Sequence, residues 1–206
     1  MSIIKLNNQA VKNATSFGSI SSLGSMTFIK KLTASSSATL SFVDGSDGVV
    51  LDDTYKEYLF TYNNVHGATD GANFEFNMST DGGLNYNVVK TTTFFQSFNL
   101  ENNTNSGLTY RTGDDLAQST NFQKIITDIG NENDENGSGY MQLFNPSSDT
   151  FVKHFIANGS TVLASPGNSN RFCSGYGNTT SAINGIRFQM DSGNIDAGDI
   201  CLYGIA

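Results

Sequence analysis

Asn73-Phe74-Glu75-Phe76-Asn77-Met78-Ser79-Thr80 is the stretch that decides the fold. Phe74, Phe76 and Met78 alternate with Glu75 and Asn77. Successive side chains of an extended chain point to opposite faces, so this period of two places three apolar groups on one face and two polar groups on the other. The octet reads as a half-buried antiparallel strand. Asp81-Gly82-Gly83 then supplies a turn, and Tyr86–Phe98 returns as the next strand.

The same pattern spreads outward in both directions. Lys56–Val65 sets Tyr58, Phe60 and Tyr62 against Leu59 and Thr61, and Gly185–Asp191 sets Ile186, Phe188 and Met190 against Arg187, Gln189 and Asp191. Shorter β-rich runs lie at Met26–Leu32, Ala38–Val43, Phe122–Ile129, Tyr140–Phe144, Thr150–Ala157, Arg171–Gly177 and Asp199–Ile205. Asp114–Ser119 has the chemistry of a short helical turn, and Asn145-Pro146-Ser147-Ser148 that of a type I turn. The result is roughly ten strands at spacings that suit a two-sheet sandwich. No helical segment long enough for a parallel crossover is present, and no short-period repeat suggests a solenoid or propeller. The predicted fold is all-β: an antiparallel two-sheet sandwich, jelly-roll-like, with an extended N-terminal arm.

Two units follow. Residues 26–206 form the sandwich domain, and residues 1–25 form the arm, in which Ile3, Ile4 and Leu6 precede a Ser, Asn and Gly-rich stretch without periodicity. The arm reads either as a flexible tail or as an anchor gripping a partner through Ile3, Ile4 and Leu6.

Composition narrows the function classes. The chain has 206 residues with a net charge of −8, 21 Gly and only 2 Pro, so its turns are made mostly by Gly, Asn and Asp. That acidity repels phosphate backbones, and Lys30-Lys31 is the only adjacent basic pair, which argues against nucleic acid. It also opposes an anionic membrane surface, and no apolar run is long enough to span one. The first residues lack the apolar core of a signal peptide, which predicts synthesis and folding in the cytosol. Cys173 and Cys201 accordingly read as two reduced thiols.

Catalytic signatures are absent from the sequence. His66 sits in a turn and His154 on a strand face, and no Gly-x-Ser-x-Gly elbow accompanies them. The two Cys and two His lack paired zinc-ligand spacing. The oxygen-rich loops Asp44–Gly48 and Asn131–Glu135 do not fit a calcium-loop pattern and read as solvated turns. Asp52-Asp53 and Asp114-Asp115 raise a paired-carboxylate idea, but glycoside hydrolysis needs carboxylates on opposite sides of a cleft. Gly175-Tyr176-Gly177 is not followed by a helix, so it makes no phosphate cradle. Sugar stacking would lack Trp, and most Phe residues are accounted for by the core. The reading is a structural or binding part, not an enzyme, with no cofactor and no metal.

Three blocks carry a resemblance: Ser181–Gly198 with its ending Leu202-Tyr203-Gly204-Ile205, the opening Ile3–Gln9, and Ala68-Thr69-Asp70-Gly71 through Ser79–Gly83. Together they resemble small virion structural proteins, capsid-decoration or tail-fibre-like, of marine and cyanobacterial tailed bacteriophages. The resemblance spans nearly the whole chain, but its motifs are strand and turn sequences. It implies a place in a phage particle assembled in the host cytoplasm, with other capsid or tail proteins as partners. It further implies a homo-oligomer, a trimer by analogy. Capsid decoration with the arm as anchor is the leading expectation, and a tail-associated subunit recognising host glycan is the alternative.

Overall fold

The computed structural model describes residues 26–206, so the arm and its Ile3, Ile4 and Leu6 lie outside the described residues. Twelve strands follow in order: β1 (Met26–Thr33), β2 (Leu40–Val43), β3 (Glu57–Gly67), β4 (Ala72–Ser79), β5 (Lys90–Leu100), β6 (Ser106–Tyr110), β7 (Gln123–Ile129), β8 (Gly137–Phe144), β9 (Lys153–Val162), β10 (Gly167–Gly177), β11 (Gly185–Met190) and β12 (Ile195–Ile205). The predicted all-β fold is the one observed. The segment 114–119 makes turns and no helix, and β6 is a strand that the periodicity does not announce.

All pairings are antiparallel and form two sheets. The large sheet has the order β1-β12-β3-β8-β9-β10-β5-β6 and the small one β2-β11-β4-β7. The chain passes repeatedly between the sheets, so that β2 lies beside β11 and β3 beside β8, which is the wrapping of a jelly roll. The meander β8-β9-β10 takes the place that one strand would hold, and β1 with β12 extends the large sheet on its other side.

Aromatic rings fill the space between the sheets. From the small sheet come Phe42, Phe74, Phe76 and Phe188; from the large sheet come Phe60, Tyr62 and Phe155. Phe74 stacks on Phe188 at 5.6 Å, while Phe42–Phe60, Tyr62–Phe74 and Phe76–Phe155 meet edge-on across the layers. Edge-to-face and offset contacts suit the ring quadrupole, and each such pair adds about 0.5–1.5 kcal/mol beyond its buried area. The Tyr62 hydroxyl lies 2.8 Å from the carbonyl oxygens of Tyr140 and Asn158, its one proton shared between them. Gly139 and Gly159 pair across β8 and β9 at this point. A Cβ at Gly159 would come within 2.5 Å of Ile126, so the glycines let β7 and the Tyr62 ring settle onto the large sheet.

The far face of β4 departs from the half-exposed strand that its sequence suggests. Glu75 is 8% exposed and Asn77 is fully buried, because the segments 80–89 and 111–122 fold over this side of the small sheet.

Candidate functional site

The large sheet presents its outer face to solvent, and an apolar strip crosses it. Register aligns Tyr110, Phe95, Phe172, Asn158 and Tyr140 in one row over β6, β5, β10, β9 and β8. Phe95 and Phe172 stack at 4.9 Å with nearly parallel planes. The next row runs Thr93, Ser174, Ile156, Gln142, Leu59, Tyr203 and Phe28, with Phe28 and Tyr203 edge-on at 5.7 Å. Phe28, Phe95, Tyr110, Tyr140, Ile156 and Phe172 are all substantially exposed. The expectation that the core accounts for most Phe residues therefore needs correction at Phe28, Phe95, Phe151 and Phe172.

A sequence signal for this strip exists. Phe94-Phe95, Phe155-Ile156 and Phe172-Cys173 are adjacent apolar pairs within strands. Neighbouring strand residues point to opposite faces, so one of each pair must leave the core. Phe94, Phe155 and Cys173 face inward, and their neighbours face out.

The two edges of the large sheet differ in how they end. β1 carries Lys30 and Lys31, has an irregular register between Phe28 and Lys30, and pairs those lysines with Asp47 and Asp199. Charge and irregularity of this kind block a further strand from docking. β6, Ser106-Gly107-Leu108-Thr109-Tyr110, has no charge, no proline and an unbroken register with β5. Leu108 is 74% exposed at its centre. Among the described residues no strand pairs with the outer side of β6, which leaves that edge available for strand addition, and the apolar strip begins at it.

A cleft of about 460 Å³ lies farther along the same sheet, lined by Thr91, Thr93, His154, Ile156, Ser174 and Tyr176 among others. His154 is an exposed strand-face residue whose ring lies 5.9 Å from Tyr176. Its neighbour Lys153 is fully buried, and its ammonium donates to the carbonyls of Ser148 and Phe151 at 2.6 and 2.7 Å. That bond pair pins the turn before β9. His66 lies elsewhere, its Nε2 3.2 Å from the Glu132 carbonyl and its Nδ1 3.9 Å from Asp196.

The outer side of the small sheet is polar. Asn77 donates through Nδ2 to the carbonyls of Tyr86 (2.7 Å) and Thr120 (2.9 Å), and its Oδ1 accepts from the buried Lys90 ammonium at 2.5 Å. Burial pulls the Lys90 ammonium down to about 7, opposed by the charge of Glu75. Asp114 accepts from Lys124 at 2.7 Å and from Arg111 at 2.8 Å, one cation on each oxygen. Burial raises the Asp114 carboxyl, but those two cations outweigh it and hold the group below the ordinary range. Glu75 is pushed up by burial despite a hydrogen bond from Gln189. Asp114 and Glu75 share a cleft of about 480 Å³ with Asp115, Lys124 and Asp191. With both oxygens of Asp114 engaged, the carboxylate acts as a pin for the 111–122 segment and not as a free base.

Asp44 accepts from the Leu51 N–H and Asp52 from the Thr54 N–H, so both serve their own turns. Cys173 and Cys201 are both free thiols, with burial raising the Cys173 thiol. Among the described residues, no three His, Cys, Asp or Glu are grouped to hold a metal ion, and no helix is long and apolar enough to cross a membrane. Compared with known proteins, the chain matches no family model, no curated protein and no solved structure.

Proposed function

We propose that the chain is a structural subunit of a tailed-phage particle, a capsid decoration protein that binds its neighbours without chemistry. One observation carries this reading: the open β6 edge continues into an exposed apolar strip on the large sheet. An edge with free N–H and C=O groups supplies directional bonds to an added strand, and the aromatic row beside it supplies area to desolvate. Exposed contiguous apolar surface of this kind marks protein contact more often than catalysis. Residues 1–25, with Ile3, Ile4 and Leu6, serve in this reading as the anchor to the particle. The partners are other virion proteins and copies of this chain, in a homo-oligomer for which a trimer is the family analogy.

The test is incorporation into particles. Full-length protein, the 26–206 fragment and Leu108→Lys are supplied to assembling virions, and copies per particle are counted by quantitative mass spectrometry. Leu108→Lys places a charge on the β6 edge at a solvent-exposed position, so it leaves the sandwich folded by circular dichroism. Full-length protein is expected at a stoichiometry near that of the major capsid subunit, with both variants depleted. Normal incorporation of both variants overturns the reading. A low, tail-like copy number for the full-length protein moves it to the tail.

A further inference from the structure

The ladder between β5 and β6 sets which backbone groups of β6 face outward. At one end the Arg111 N–H donates to the Phe94 carbonyl at 2.9 Å, and at the other the Leu100 N–H donates to the Asn105 carbonyl at 3.0 Å. Bonded and non-bonded pairs alternate between those points, so Gly107 and Thr109 turn their N–H and C=O groups to β5. Ser106, Leu108 and Tyr110 turn theirs away from it, and all three residues are exposed. No strand of the described residues meets them. The side chains of Leu108 and Tyr110 lie on the outer face, beside Ser97 and Phe95. The edge thus offers three outward N–H and C=O pairs with an apolar flank.

Charge is divided unevenly between the two units of the chain. Residues 1–25 contain Lys5 and Lys12 and no acidic residue, so the arm carries +2. The whole chain carries −8, which leaves −10 on residues 26–206. Sandwich domains therefore repel one another and attract arms. The arm also contains no proline, and Ile3 and Ile4 are β-branched residues that suit a strand. Extended, residues 3–7 place Ile4 and Leu6 on one face, with the same two-residue spacing as Leu108 and Tyr110.

We propose that residues 3–7 of one copy add as a strand to the β6 edge of a neighbouring copy, with Ile4 and Leu6 extending the apolar strip beyond Leu108 and Tyr110. This rests on the assembly reading above in taking copies of the chain as partners, and it names the segment that joins them. The arm enters at β1 and the acceptor is β6, the two opposite ends of the eight-stranded sheet. Seven strand spacings separate them, about 34 Å. Twenty-five extended residues reach at most about 80–90 Å, so the arm is long enough to leave its own domain. Reaching β6 of its own copy would carry the arm across the outer face at right angles to the strands, with no ladder bonds on the way. Delivered from a neighbour, it runs along β6 from its first bond. Donor and acceptor on opposite edges make the contact head to tail, the kind that closes into a ring.

Analytical ultracentrifugation of the purified full-length chain, with no other virion component present, tests this. Wild type is expected as an oligomer. The double variant Ile4→Glu with Leu6→Glu removes the apolar grip and cancels the arm's charge, and is expected as a monomer. Leu108→Pro removes an outward N–H while leaving the bonds of Gly107 and Thr109 to β5 in place, and is likewise expected as a monomer. Mixed in equal amounts, the two variants are expected to form a 1:1 dimer and nothing larger. Only the arm of the proline variant and the edge of the glutamate variant remain competent, and the rescue shows that both are folded. Monomeric wild type overturns the proposal, and protected Leu108 and Tyr110 amides in hydrogen exchange then identify a fold-back onto the same copy. An oligomer retained by either variant overturns it too, as does a mixture that stays monomeric with Leu108→Lys as well as with Leu108→Pro. Such a failure leaves the assembly reading to its own test, since a monomer in solution can still occupy virions at capsid stoichiometry.

Discussion

The two sheets of this sandwich turn opposite characters outward. The small sheet keeps polar groups on its outer side and then buries them under the 80–89 and 111–122 segments. The large sheet keeps apolar groups on its outer side and leaves them bare. Both arrangements run against the ordinary sorting of side chains, and both are therefore informative. The covered polar side is a network whose members depend on one another. The bare apolar side consists of residues that the fold does not need. Stability should concentrate in the first and interaction in the second.

The sharpest way to break that contrast is Asn77→Leu. The substitution removes the Oδ1 that receives Lys90 and the Nδ2 that ties down Tyr86 and Thr120, leaving a buried ammonium short of a partner. Leaving a buried polar group short of a hydrogen-bond partner costs on the order of 1–3 kcal/mol. Urea unfolding is expected to show that loss, and a cost below ~1 kcal/mol would mean that the network is not coupled.

A second test uses pH. Lys90 has its folded pKa lowered to about 7 from an ordinary 10.5. Between those values the unfolded chain binds the extra proton, so stability rises with pH from about 7 toward 10.5 and is flat in this term below 7. The slope approaches ~1.4 kcal/mol per pH unit for one group. Lys153, also lowered by burial, adds a smaller contribution of the same sign. Melting curves across that range should steepen for wild type and flatten for Lys90→Met. An unchanged slope in the variant assigns the effect elsewhere.

The smallest stability effect belongs to the bare face. Phe95→Ser breaks the stack with Phe172 and is expected to cost only about 0.5–1.5 kcal/mol. Its effect on association, read by analytical ultracentrifugation, is expected to exceed its effect on folding. A large stability loss with unchanged association would show that the aromatic row serves the fold instead.

Much of the architecture was legible because most strands have one apolar and one polar face. Tyr58, Phe60 and Tyr62, like Ile186, Phe188 and Met190, point inward as their alternation requires. β6 was not legible for a related reason: Leu108 and Tyr110 alternate as a core-facing strand would, but in a short run containing Gly107, and they face solvent. Glu75 and Asn77 were assigned to the correct face of β4, but the period of two says nothing about loops that later cover that face. Buried cations were the least legible feature. Lys90 and Arg171 find Asn77 and the Thr127 carbonyl from elsewhere in the chain, whereas Lys153 is held by the Ser148 and Phe151 carbonyls of its own turn, and no periodicity announces either arrangement. The juxtaposition of Gln96 and Arg171 has no sequence signature, since the two meet only through the β5–β10 register.

The pairing of β1 with β12 and of β2 with β11 bears on the order in which the molecule can be made. Among the described residues, neither early strand has any other partner in its sheet. On the ribosome both must wait as unpaired strands while β3 to β10 are synthesised, and they can dock only when the last two strands emerge. Such late, long-range closure slows folding and prolongs exposure of unsatisfied edges. The lysines of β1 then guard the nascent chain as well as the finished one, keeping a strand without a partner from finding the wrong one.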